Sequence, residues 1–140
     1  MTGKIFVYGS LMKDFFNYKK FLDGKVIKVE MAYVKGSLYH LQNKGYPGFI
    51  EEGNDYVYGE IITYKAGDDL VKALDLLEDY SGVFHIENAY NRCKKQVFNM
   101  EEAAFEELDV YVYDTKATCN LKDNRLYLNE GSWRTYMENN

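Results

Sequence analysis

Two long runs of alternating side chains, Val26 to Leu41 and Tyr56 to Tyr64, do most to limit what this chain can fold into. Alternation with a period of two is the mark of a strand with one buried face. Each run also contains a glycine. Gly36 leaves the first as either one long strand or a bent pair, and Gly59 marks a bulge or a close approach of backbone in the second. Lys4 to Tyr8 reads as a buried strand, and two more strands are expected near Asn91–Val97 and Leu108–Tyr113. Helical periodicity is confined to Met12–Leu22, with Phe15, Phe16, Tyr18 and Leu22 on its apolar face, and to Asp68 through about Tyr80. Gly45-Tyr46-Pro47-Gly48 reads as a turning loop, and Asn120–Met137 shows no clear period. Strands outnumber helices and do not alternate with them regularly, which predicts an α+β domain rather than a doubly wound sheet. Long strands interrupted by glycine suit a sheet curled into a small barrel.

With 140 residues the chain is expected to form one domain over 1–140, because two ordinary domains need more. A formal net charge of −5 argues against a nucleic-acid partner, which needs an excess of Lys and Arg on one face. The pairs Lys19-Lys20 and Lys94-Lys95 have acidic neighbours and read as solvated faces. No signal pattern and no membrane-length apolar run is present, so a cytoplasmic location is expected and a membrane partner is not. Cys93 and Cys119 fit reduced thiols, and neither they nor the isolated His40 and His85 have metal-type spacing. No metal and no cofactor is expected. Fourteen tyrosines carry apolar area and hydroxyls that need partners, which predicts that some line a cavity.

Two features carry chemistry. The run Ile5-Phe6-Val7-Tyr8 breaks into Gly9-Ser10-Leu11, and a strand ending this way leaves successive amides free to surround an anionic or carbonyl oxygen. An isolated Gly-Ser pair is also simply a turn. The second feature lies in the Asp68–Tyr80 helix, where Asp68-Asp69 suits the positive end. Projected at about 100° per residue, Leu70, Val71, Ala73, Leu74 and Leu77 share an arc. Glu78 falls inside that arc, while Asp75 and Asp79 fall toward solvent. On the projection alone, Glu78 is equally a rim carboxylate with its head in water or a carboxylate facing a polar cavity. In a partly dry cavity desolvation would raise its pKa toward neutrality, the property wanted for taking and returning a proton. Ser10 has no evident base in the sequence.

At these positions the chain resembles a known family. Phe6-Val7-Tyr8-Gly9-Ser10-Leu11 is similar to the opening "YGSL" signature of γ-glutamylcyclotransferase-like (AIG2-like) proteins. Leu74-Asp75-Leu76-Leu77-Glu78-Asp79-Tyr80 resembles their "LDxLEGY" segment. Tyr46-Pro47-Gly48, Val57-Tyr58-Gly59-Glu60-Ile61, Tyr90-Asn91-Arg92, Tyr111-Val112-Tyr113 and Gly131-Ser132-Trp133-Arg134 follow in the family's order. The resemblance implies a mixed β-barrel with flanking helices and one cavity. It also implies cyclisation of a small γ-glutamyl amine or peptide to 5-oxoproline with release of an amine or amino acid. Glu78 would be the general acid/base. The amides of Gly9, Ser10 and Leu11 would hold substrate oxygens, and Tyr8, Tyr90 and Tyr111 would supply walls or hydrogen bonds.

Three positions depart from the pattern: Asp79 replaces the glycine after the glutamate, Ser132 replaces an aspartate, and Ser81–Ala89 is longer than in the shortest members. That stretch is a candidate lid or edge that narrows substrate choice. The alternatives are a non-catalytic small-molecule-binding module of the same fold and an acyl transferase acting on another γ-glutamyl-tagged metabolite. Neither the leaving group nor the oligomeric state is legible.

Overall fold

The computed structural model describes residues 2–42, 44–65, 68–77, 89–116, 120 and 124–139. Glu78, Asp79, Tyr80, the 81–88 part of the longer stretch, His85 and Cys119 lie outside the described residues, as do the side chains of Asp68, Asp69 and Leu76. Five strands close into a barrel in the order β1 (Thr2–Val7), β5 (Tyr56–Lys65), β2 (Val26–Lys35), β6 (Tyr90–Asn99) and β7 (Ala104–Tyr113). The β1–β7 seam is parallel, with Ile5 opposite Asp109, and the other pairings are antiparallel. The barrel is therefore mixed, as the family resemblance implies. A second sheet of three short antiparallel strands is ordered β4 (Tyr46–Ile50), β3 (Ser37–Leu41) and β8 (Arg125–Tyr127).

The first alternating run resolves as the bent pair. The chain leaves the barrel at Gly36 and enters the small sheet as β3. Gly59 permits close approach: a Cβ there would overlap the Val7 carbonyl oxygen and the Phe6 ring across the β1–β5 pairing. The bulge falls instead at Val26/Lys28 in β2. Residues 45–48 are not wholly a loop, since Tyr46, Pro47 and Gly48 belong to β4 and pair with Leu41, His40 and Tyr39. Proline is tolerated because β4 is an edge strand, where a missing N–H breaks no ladder.

The largest departure is at Met12–Leu22. Regular helix is confined to its last part, ending in a five-residue π-helix over Tyr18–Leu22 in which the Asp23 N–H bonds the Tyr18 carbonyl at 2.9 Å. Ahead of it lie turns, with Asp14 at φ 77°, a left-handed conformation that ends a right-handed helix. Phe16 is consequently exposed, whereas Leu22 is fully buried. The tail also carries more structure than its period suggests. It forms β8 and a short helix, α2 (Trp133–Glu138), whose first turn is capped by the Ser132 hydroxyl accepting from the Thr135 N–H at 3.2 Å. The other helix, α1, spans Asp68–Leu77 and buries Leu70 and Leu74.

Trp133 is the largest fully buried side chain, and its indole N–H donates to His40 Nδ1 at 3.1 Å. His40 is buried beside the Tyr136 ring, and burial pushes its imidazole below the ordinary histidine range. The folded state therefore favours neutral His40. Its contribution is full above the unfolded-state pKa of about 6.5 and is lost as pH falls through the lower folded-state value. Unfolding free energy measured by denaturant titration should fall from pH 7 to pH 5. The part of that slope due to His40 should vanish in His40→Gln, which keeps an acceptor for the indole. Equal slopes in the two proteins would rule the imidazole out as the cause.

Candidate active site

The strand β1 ends at Val7 because Gly9 and Ser10 turn the chain out of the barrel. The Met12 N–H closes that turn on the Gly9 carbonyl at 2.9 Å, and the Tyr18 N–H caps the Ser10 carbonyl at 3.1 Å. Among the described residues nothing accepts from the amides of Gly9, Ser10 or Leu11. Asn17 fixes the Ser10 hydroxyl by donating to its oxygen at 2.7 Å. Beneath the turn lies Glu60 of β5, opposite Val7. Its carboxylate accepts from the Lys13 N–H at 2.7 Å and from Arg134 of α2 at 3.2 Å. Arg134 also donates to the Lys13 carbonyl at 2.8 Å and lies over the Phe15 ring. Burial raises the Glu60 carboxyl above its ordinary value, while the Lys13 amide and Arg134 pull it back. The turn is thus anchored from below by a carboxylate that the folded chain itself requires.

Above the turn is a cavity of about 320 Å³, at the lower end of the size usual for small-molecule sites. Tyr8, Gly9, Ser10 and Leu11 form one side of it. Phe16, Asn17, Lys44, Tyr46 and Pro47 line others, with Tyr111 of β7 and Leu77 at the end of α1. Gly9 lets the small sheet approach, because a Cβ there would come within 2.7 Å of the Pro47 ring. Tyr8 joins the two layers: its hydroxyl donates to the Tyr111 carbonyl at 2.6 Å and accepts from the Phe49 N–H at 3.2 Å.

The structure thus brings Tyr8, Gly9, Ser10, Leu11 and Tyr111 around one cavity. Tyr90 is not among the described lining residues. It is buried, and its hydroxyl donates to the Pro47 carbonyl at 2.7 Å, behind the wall. Leu77 lines the cavity, and Glu78 is the next residue of the chain, outside the described residues. Asp75 does not face open solvent as the helix projection suggests. Its carboxylate accepts from the Tyr111 hydroxyl at 2.6 Å and stands 3.6 Å from Arg92 of β6. A projection orders side chains around their own helix and carries no information about barrel side chains leaning over its flank.

Asn17 and Lys44 are lining residues that no sequence motif marked. The available signal for Lys44 was its place beside the Gly45–Gly48 turn. Among the described residues no group of three or more His, Cys, Asp or Glu side chains gathers to hold a metal ion. No described helix is long and apolar enough to cross a membrane. Among the described residues the cavity combines the Gly9–Leu11 backbone, apolar and aromatic walls, and the Lys44 side chain.

Three comparisons bear on this arrangement. The sequence profile of the family described as "Gamma-glutamyl cyclotransferase, AIG2-like" matches residues 5–135. The chain is 31% identical over 133 residues to "Gamma-L-glutamyl-butirosin B gamma-glutamyl cyclotransferase" of Niallia circulans, covering 94% of this chain and 76% of that one. Among solved structures it is similar to an AIG2-like protein from Mus musculus, with a TM-score of 0.68 at 23% identity, covering 94% of this chain and 88% of that one. It also resembles YkqA from Bacillus subtilis, with a TM-score of 0.67 at 20% identity over 98% of this chain, and spans 41% of that longer protein. The two structural likenesses concern the fold.

Proposed function

Since the chain belongs to the gamma-glutamyl cyclotransferase, AIG2-like family and is a cyclotransferase-type enzyme, we propose that it cyclises a small γ-glutamyl compound to 5-oxoproline. In this reaction the α-amine nitrogen bonds to the γ-carbonyl carbon, and the amide bond to the leaving nitrogen breaks. Starting from the α-ammonium, two protons leave the attacking nitrogen, and the departing nitrogen takes up two as it becomes an ammonium. Neither water nor a redox partner is consumed, and one of the protons passes during the bond exchange itself. Glu78 carries that proton, and the amides of Gly9, Ser10 and Leu11 hold the α-carboxylate of the γ-glutamyl group. The named substrate of the Niallia circulans relative is itself a γ-glutamyl compound.

The observation that carries this reading is the run of three amides with no acceptor among the described residues, in residues that line a mostly apolar cavity. Amide groups turned into such a space favour a bound anion. Folding a short γ-glutamyl chain over that anchor brings its own amine near its own carbonyl. Effective molarity then supplies much of the rate. Tyr8 and Tyr111 wall the pocket and limit the conformations open to the bound chain. Tyr90 acts at one remove by holding Pro47.

The test is to incubate the purified protein with a panel of γ-glutamyl amino acids, amides and amines and to follow 5-oxoproline by chromatography. Release of 5-oxoproline in equal amount with the free amine is the expected result. Formation of free glutamate instead would replace cyclisation by hydrolysis and overturn the reading.

A further inference from the structure

Lys44 is the one charged side chain among the described cavity-lining residues, and its surroundings are arranged to hold it there. Its ammonium donates to Asn120 Oδ1 at 2.6 Å and stands 5.5 Å from the centre of the Tyr113 ring. Asn120 is buried, and its amide nitrogen donates to the Ala89 carbonyl at 2.9 Å and the Asp114 carbonyl at 2.8 Å. With its nitrogen so committed, the Asn120 oxygen is fixed toward Lys44. Both partners of the ammonium are uncharged, and among the described residues no carboxylate pairs with it. A flexible lysine is ordinarily left free in water, because fixing it costs side-chain entropy. Here a buried amide and an aromatic face fix it at the edge of an apolar space, with no carboxylate partner among the described residues.

The cavity therefore offers two attractions for anions, the Gly9–Leu11 amides and Lys44. A γ-glutamyl amine carries a single carboxylate, whereas a γ-glutamyl amino acid or peptide carries two. We propose that Lys44 binds a carboxylate on the released half of the substrate, so that the enzyme selects γ-glutamyl amino acids or short γ-glutamyl peptides over γ-glutamyl amines. Asn120 is the positioning residue for this contact. The proposal rests on the cyclisation reading for its reaction, and its binding content can be measured separately.

Two compounds that differ only in that carboxylate, γ-glutamylalanine and γ-glutamylalaninamide, decide the matter. Binding is measured by calorimetry and turnover by 5-oxoproline release, in the wild type, in Lys44→Met and in Lys44→Arg. Met retains an unbranched stem beside Tyr113 without the charge, and thermal unfolding confirms that each variant is folded. The wild type should bind the acid on the order of 10-fold more tightly than the amide, the range of a hydrogen bond to a charged group. Lys44→Met should bring the two affinities together by weakening the acid alone, raising its KM with little change in kcat. Lys44→Arg should restore part of the preference, and raised salt should reduce it in the wild type.

Equal binding of both compounds by the wild type overturns the proposal. So does an equal loss for both in Lys44→Met, which would put Lys44 on the α-carboxylate or in a structural role. Should both compounds bind with the expected preference and neither release 5-oxoproline, the reaction reading fails while the role of Lys44 stands. Absence of binding by either compound overturns the Lys44 proposal itself.

Discussion

Replacing Glu78 with glutamine is expected to lower 5-oxoproline release on the order of 1,000-fold or more while leaving the barrel folded, in line with the loss of a general acid/base. The substitution keeps shape and removes only the ability to accept and return a proton. Its expected size follows from what else the cavity holds. Among the described lining residues there is no carboxylate, imidazole or thiol, and the Lys44 ammonium has nothing to accept with while charged. Ser10 is bound by Asn17, with no base beside it among the described residues. The α-ammonium of the substrate must lose a proton before its nitrogen can attack. Glu78 follows directly on Leu77, which lines the cavity. A described competitor is Asp75, whose carboxylate accepts from the hydroxyl of the lining residue Tyr111. Rates for Glu78→Gln and Asp75→Asn, measured side by side with circular dichroism to confirm folding, separate the two. Full activity in Glu78→Gln with loss in Asp75→Asn would transfer the proton chemistry to the Tyr111–Asp75 pair.

The second large effect is on stability. Trp133→Ala is expected to cost about 3–5 kcal/mol, the usual range for emptying a buried tryptophan site, and to lower the thermal midpoint by on the order of 10 °C. Trp133 is 1% exposed, packs its ring at a tilt against Phe15 and donates to His40, so the variant leaves a void and a buried acceptor without its donor. The void opens at the start of the helix that carries Arg134, whose contacts with Glu60 and the Lys13 carbonyl anchor the turn after β1. Activity measured well below the lowered midpoint should therefore also fall, through a higher KM. Trp133→Phe keeps most of the ring volume and should cost less than the alanine variant. A midpoint within a degree or two of wild type in Trp133→Ala would mean that the C-terminal helix is an accessory to the fold.

How much could be read beforehand depended on whether the deciding force was local. The β1 run and its break at Gly9 were legible, because an apolar strand and the glycine that ends it are written in adjacent residues. The 68–77 helix was legible because its apolar period extends over nearly three turns. The Met12–Leu22 segment was misread because its periodicity competes with tertiary contacts. Glu60, 47 positions away, takes the Lys13 amide, and Asp14 adopts a left-handed conformation. Pro47 looked like a loop residue because its tolerance in β4 depends on that strand being at an edge, a property of the sheet and not of the segment. The α2 helix is only six residues long with Trp133 as its buried side chain, too short to show a period, although its Ser132 cap could have been noticed. At the cavity, the turn at Tyr8–Leu11 that forms one wall was legible from the strand ending. Lys44 was not, since its meaning comes from Asn120 and Tyr113, which lie in a distant part of the chain.

The wall that carries Tyr46 and Pro47 belongs to a different sheet from the barrel strands that carry Tyr90 and Tyr111 and from β1, which Tyr8 directly follows. Hydroxyl groups link the two: Tyr90 holds the Pro47 carbonyl, and Tyr8 holds the Phe49 amide. Such a joint separates two kinds of heritable change. Mutations along β3 and β4 can reshape one side of the cavity without renegotiating the pairing that closes the barrel. The Gly9–Leu11 turn is meanwhile held by Glu60 and Arg134 on the other side. A scaffold divided in this way can change the shape of one cavity wall in single steps, with the opposite wall preserved throughout.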